Sequence, residues 1–100
     1  MRKPYKFFHD PGHGWLEVPR KELRALGITS QISTYSYQNK GMVYLEEDCD
    51  FAQFAKAKGW QKWPVDLIEE VYQDPTPIRN YYPYQATEPT KLGFYQAIQR

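Results

Sequence analysis

Two short runs of alternating apolar and polar residues, YKFFHD and WLEVP, flank the segment PGHG near the start of the chain. This pattern predicts an aromatic-rich β-hairpin, closed at its far end by Pro19. The period then changes. In PRKELRALG, residues 19–27, Leu23 and Leu26 recur at i and i+3 between a starting proline and a terminating glycine, which predicts a short helix. Residues 28–38 return to period two, with Ile32, Thr34 and Ser36 alternating against Ser33, Tyr35 and Tyr37, and read as a strand. Asn39-Lys40-Gly41 supplies a tight turn, with Asn and Gly tolerating positive φ. Met42 to Glu46 reads as the returning strand, Val43 and Leu45 on one side and Met42 and Tyr44 on the other.

Asp50 has the chemistry of a helix N-cap, with Gln53 placed to complete a capping box. Phe51, Phe54, Ala55 and Lys58 follow helical spacing, and Gly59 ends the run. Lys56 and Lys58 are long enough to cover its apolar side. Residues 65–73 suit either a helix or a strand by spacing. The sharp stop at Asp74-Pro75-Thr76-Pro77, with no terminating glycine, selects a strand. After residue 74 the chain is dense in proline and tyrosine and reads as an extended arm, with a last short helix expected on Leu92, Tyr95 and Ile98. The elements run β-β-α-β-β-α-β and then the arm. They imply an α+β fold: an antiparallel or mixed sheet packed by two helices, with residues 1–80 as core domain and 81–100 as arm.

With 100 residues the chain is sized for a single domain, and nine Tyr, five Phe and three Trp rule out wholesale disorder. Thirteen basic residues against twelve acidic ones leave a net charge of +1, so a broad basic footprint for nucleic acid is missing and such binding is not favoured. Cys49 is the only cysteine, which excludes an internal disulfide and a Cys-based zinc site. A lone thiol with no signal-like or membrane-spanning run fits a reducing, cytoplasmic setting.

The segments HDPGHGWLEVP, ISTYSY, YLEEDCD and TPIRNY together resemble a group of short, stand-alone proteins from phages, plasmids and bacterial genomes. The likeness covers residues 5–80. It implies a small accessory protein of mobile elements, in which counter-defence and takeover of host functions are the expected roles. It transfers no catalytic residue.

The candidate chemistry concentrates in four places. His9, Asp10 and His13 surround the Pro11-Gly12 turn beside Trp15. In a two-residue turn, alternation sends the histidines to opposite faces, whereas a longer loop lets both imidazoles and Asp10 converge on a metal. Pro-Gly favours a type II turn, which splays a tight hairpin, so the longer loop is expected. Against the metal stands a structural reading, in which Asp10 caps the turn and His13 stacks near Trp15. The preferred reading is a glycine-rich hairpin tip that presents His9, Asp10, His13 and Trp15 at the surface as a recognition loop. Cys49 with a histidine is a conceivable dyad, but Glu47, Asp48 and Asp50 disfavour its thiolate, and an inert, half-buried thiol is expected. Glu46, Glu47, Asp48 and Asp50 form an acidic rim, in excess of what a helix start uses. Tyr35, Tyr37 and Tyr44 are expected to share an exposed platform, joined by Tyr81, Tyr82 and Tyr84 of the arm. The preferred function is a non-enzymatic, cofactor-free binding module with a protein partner, a homodimer being compatible. The alternatives are a small metal enzyme built on His9, Asp10 and His13, and a weak nucleic-acid binder.

Overall fold

The computed structural model describes residues 3–87. Six strands and two α-helices follow in the order β1 (Tyr5–His9), β2 (Gly14–Pro19), α1 (Arg20–Ala25), β3 (Tyr37–Asn39), β4 (Met42–Glu46), α2 (Phe51–Lys58), β5 (Ile68–Tyr72) and β6 (Tyr82–Pro83). The α+β architecture expected from the pattern is therefore present. The strands form one sheet in the order β5-β1-β2-β4-β3-β6. Only β5 runs parallel to its neighbour, β1, so the sheet is mixed. No helix among the described residues is long and apolar enough to cross a membrane.

Alternation along the strands divides the sheet into two faces with separate cores. On one face, Phe7, Leu16, Val18, Val43, Leu45 and Ile68 pack with Leu23 of α1 and Phe54 of α2. Both helices lie on this side, and each sends one buried apolar anchor into it, Leu23 from α1 and Phe54 from α2. Gly59 ends α2 at φ 77°, the left-handed position that glycine adopts without a steric penalty. Lys58 ends over the rings of Tyr5 and Phe54 and reaches Glu22 at 2.8 Å, as its stem length allows.

The second face carries Trp15 and Tyr44, covered by Ile78, with Phe8, Tyr37, Met42 and Tyr81 around them. Neither α1 nor α2 contributes to this second core. It is roofed by the proline-rich segment after β5, which passes a cis Asp74–Pro75 bond and makes a 3-10 turn at Pro77–Asn80. Thr76 starts that turn by accepting the Ile78 amide on its hydroxyl. The chain then enters the sheet as β6, and Tyr84 is buried with its hydroxyl donating to the Thr29 carbonyl at 2.6 Å. Residues 82–84 thus pack on the sheet and its core. The last helix expected over 91–100 lies outside the described residues.

Three local expectations are corrected. Residues 28–36 do not form a strand; they make a 3-10 turn at Thr29–Gln31 and then a bend, and only Tyr37–Asn39 joins the sheet. The cause is Asp50, which is 2 % exposed. Its carboxylate accepts the Ser33 amide at 2.9 Å, the Ser33 hydroxyl at 2.7 Å and the Ser36 hydroxyl, drawing this segment out of the ladder. For the same reason Asp50 stands at the N-cap position of α2 but makes no side-chain cap bond. In the β3–β4 turn the positive φ angles fall on Lys40 and Gly41, not on Asn39, because Asn39 is still paired with Met42.

Two substitutions test this account. Asp50→Ala removes the acceptor for three donors and is expected to cost on the order of 3 kcal/mol in denaturant unfolding. Gly14→Ala places a Cβ 2.2 Å from Phe7 Cζ, so something must shift, and a loss of about 1–3 kcal/mol is expected. Unchanged stability in either variant contradicts the corresponding contact.

Candidate functional site

The β1–β2 turn is tight. His9 pairs with Gly14, and the Asp10 amide donates to the His13 carbonyl at 3.0 Å. Gly12 is not among the glycines with positive φ, so the turn does not need the type II geometry that would splay the strands. Instead the Asp10 carboxylate accepts the Gly12 and His13 amides at 2.9 and 3.0 Å, fastening the turn from inside. The longer loop expected from Pro-Gly is thereby overturned.

Register then separates the histidines. His9 lies on the helix-bearing face, where it stacks on Phe7 at 5.8 Å and meets the edge of Tyr72 at 5.4 Å. His13 lies with the second face, 5.9 Å from Trp15. Asp10 is also committed. Arg79 grips its carboxylate with two hydrogen bonds, at 2.7 and 2.9 Å. His9, Asp10 and His13 do not converge, so the ligand set weighed from the sequence is not formed.

The structure brings together a different group. A cleft of about 260 Å³ on the second face is lined by His13, Trp15, Tyr35, Tyr37, Glu46, Asp48, Cys49 and Arg79. These residues come from the hairpin tip, the bend before β3, the end of β4 and the 3-10 turn. Trp15 is expected at the surface from its place in the turn, but it is 2 % exposed and forms a wall of the cleft, under the Arg79 guanidinium at 5.2 Å. Its indole nitrogen is the one buried side-chain polar atom without a hydrogen-bond partner among the described residues.

The acidic residues part company. Glu46 and Asp50 are buried, while Glu47 and Asp48 are exposed, so there is no continuous rim of four. Glu46 ends β4 with its Oε2 accepting the Asp48 and Cys49 amides, both at 2.8 Å. Its Oε1 faces His13 Nδ1 at 3.5 Å. Cys49 is exposed, not half-buried. Partial desolvation, the hydrogen bond to Glu46 and the neighbouring carboxylates all raise its thiol above the ordinary value, so it is not an activated nucleophile.

The expected tyrosine platform is dismantled by the bend at Ser33–Ser36. Tyr35 is 69 % exposed at the lip of the cleft, and Tyr37 is half-buried inside it. Tyr44, opposite Tyr37 in the ladder, is buried under Tyr81 and donates to Glu17 at 2.9 Å. Tyr84 is core, and Tyr82 is exposed on the edge strand away from the cleft.

Arg79 is the site residue that the sequence reading missed. Nothing in a single sequence pairs position 79 with position 10. The only local signal is the Thr76-Pro77 start of the turn that carries it. Comparison with protein-family models, curated proteins and solved structures finds no match.

The Arg79 hydrogen bonds hold the Asp10 carboxyl well below the usual carboxylate range; desolvation opposes them, and the His13 and Gly12 amides reinforce them. With the folded-state value below that of the unfolded chain, this contribution is complete above about pH 4 and is lost as pH falls further. Thermal unfolding measured from neutral pH to acid should therefore show a steeper acid loss in the wild type than in Asp10→Asn. Parallel profiles would remove the pair from the account.

Proposed function

We propose that the protein is a non-enzymatic binding module and that the cleft between the hairpin tip and the 3-10 turn receives a basic segment of a protein partner. The observation that carries this reading is the make-up of the cleft: aromatic walls from Trp15, Tyr35 and Tyr37 beside two carboxylates, Glu46 and Asp48. The one guanidinium present, Arg79, is already neutralised by Asp10. A lysine or arginine side chain entering there meets carboxylates for its charge and ring faces for its stem and cation. The raised Cys49 thiol supplies no nucleophile, which favours binding over covalent chemistry. The resemblance carried by HDPGHGWLEVP and YLEEDCD supports placing this activity among accessory proteins of mobile elements, with inhibition of a host protein as the expected outcome of binding.

An NMR titration with a short lysine- and arginine-rich peptide tests the reading, with a glutamate-rich peptide as control. The basic peptide is expected to shift the Trp15 indole, His13 and Tyr35 signals. Asp48→Lys and Tyr37→Ala should each weaken it by about tenfold or more. His9→Ala, on the opposite face, should leave binding unchanged. No shifts, or shifts confined to the α2 face, would overturn the assignment.

A further inference from the structure

His13, Glu46 and Asp48 each offer a metal-ligating atom, and the three atoms lie within 4.8 Å of one another. The His13–Glu46 separation is informative. At 3.5 Å, Nδ1 and Oε1 face each other beyond ordinary hydrogen-bond length. Two ligand atoms bound to one tetrahedral zinc at about 2.0–2.1 Å stand roughly 3.3 Å apart. The pair is thus spaced as ligands that share an ion are spaced.

Support from surrounding residues points the same way. Glu46 is buried and cannot swing freely, because the Asp48 and Cys49 amides hold Oε2 and leave Oε1 turned to the imidazole. The backbone of His13 is fixed by the tight turn, which Asp10 closes from within and Arg79 locks from outside. Glu46 therefore comes from a held side chain and His13 from a held backbone. Asp48 is exposed, with a carboxylate oxygen within 4.8 Å of both. Trp15 walls one side of the group, and the open cleft on the other side leaves room for a further ligand.

We propose that His13, Glu46 and Asp48 form a zinc site with three protein ligands and a remaining coordination position facing the cleft. One imidazole with two carboxylates suits zinc and related transition ions over magnesium or calcium, which prefer all-oxygen shells. The proposal does not rest on the basic-partner reading, since ion binding is measured on the protein alone. The two are linked in one respect: zinc and a basic side chain draw on the same carboxylates and compete for the cleft.

The test is a competition titration of Zn²⁺ between a chromophoric chelator and the full chain, prepared without a polyhistidine tag. One zinc per chain is expected, with no comparable displacement by Mg²⁺ or Ca²⁺. His13→Ala and Asp48→Asn should each weaken zinc by about tenfold or more, whereas His9→Ala should not. Cobalt bound in place of zinc should give the visible absorption of a four-coordinate ion, lost in the same two variants. If His13→Ala disturbs the hairpin, Asp48→Asn decides the matter, because Asp48 lies at the surface. No stoichiometric zinc in the wild type, or binding unaffected by Asp48→Asn, overturns the site.

Discussion

The ion pair between Asp10 and Arg79 is the constraint on which the second face depends. It joins positions 69 apart in sequence with two short hydrogen bonds, and the same carboxylate closes the β1–β2 turn. Closing the turn sets the hairpin register, and register decides which residues can meet. His9 is sent to the helices, while His13 and Trp15 are sent to the cleft. Holding Arg79 also brings Ile78 down onto Trp15 and Tyr44, so one interaction serves both the packing and the site. An ion pair of this kind is worth keeping where both partners are hydrogen-bonded on several sides, as Asp10 is.

Asp50 has the corresponding role on the other side of the cleft. By taking both serines, it turns residues 33–36 away from the sheet and sets Tyr35 at the lip. Ser36 in turn donates to Asp50 and accepts the Glu46 amide at 2.9 Å, which links this bend to the end of β4. Glu46 repeats the motif with the Asp48 and Cys49 amides. Three carboxylates, Asp10, Glu46 and Asp50, are thus used as local backbone clamps. Each fixes a segment that has no helix or long strand to hold it.

This division explains what could be read from the residues and what could not. The first hairpin, the β4 alternation of Val43 and Leu45, and the Gly59 stop of α2 depend on neighbours in sequence, and their periodicity announced them. The strand at 68–72 was legible from the sharp stop at Asp74-Pro75. The bend at Ser33–Ser36 was not, since an alternating run of Ile, Thr and Ser looks like a strand until a carboxylate 14 to 17 residues away takes its hydroxyls. Likewise the acids at 46–50 read as a surface rim, but two of them turn inward because unpaired amides wait there. The tyrosines read as one exposed platform, whereas Tyr44 and Tyr84 are buried. Their assignment to core, lip or edge needed the path of the segment after β5.

The two cores differ in a way that bears on function. The helix-bearing core is built from aliphatic side chains and aromatic edges, and its stability follows from buried area. The second core is small, aromatic and bordered by charged groups, and its roof is a 3-10 turn that depends on Arg79. Trp15 there leaves its indole N–H unmet, which costs about 1–3 kcal/mol. A face that keeps such an unmet donor, a buried glutamate and a half-exposed imidazole within one cleft is not optimised for stability alone. The roof meets the hairpin tip through the Asp10–Arg79 pair and the packing of Ile78 on Trp15, while Tyr81 on Tyr44, the β3–β6 pairing and buried Tyr84 hold the rest of the segment.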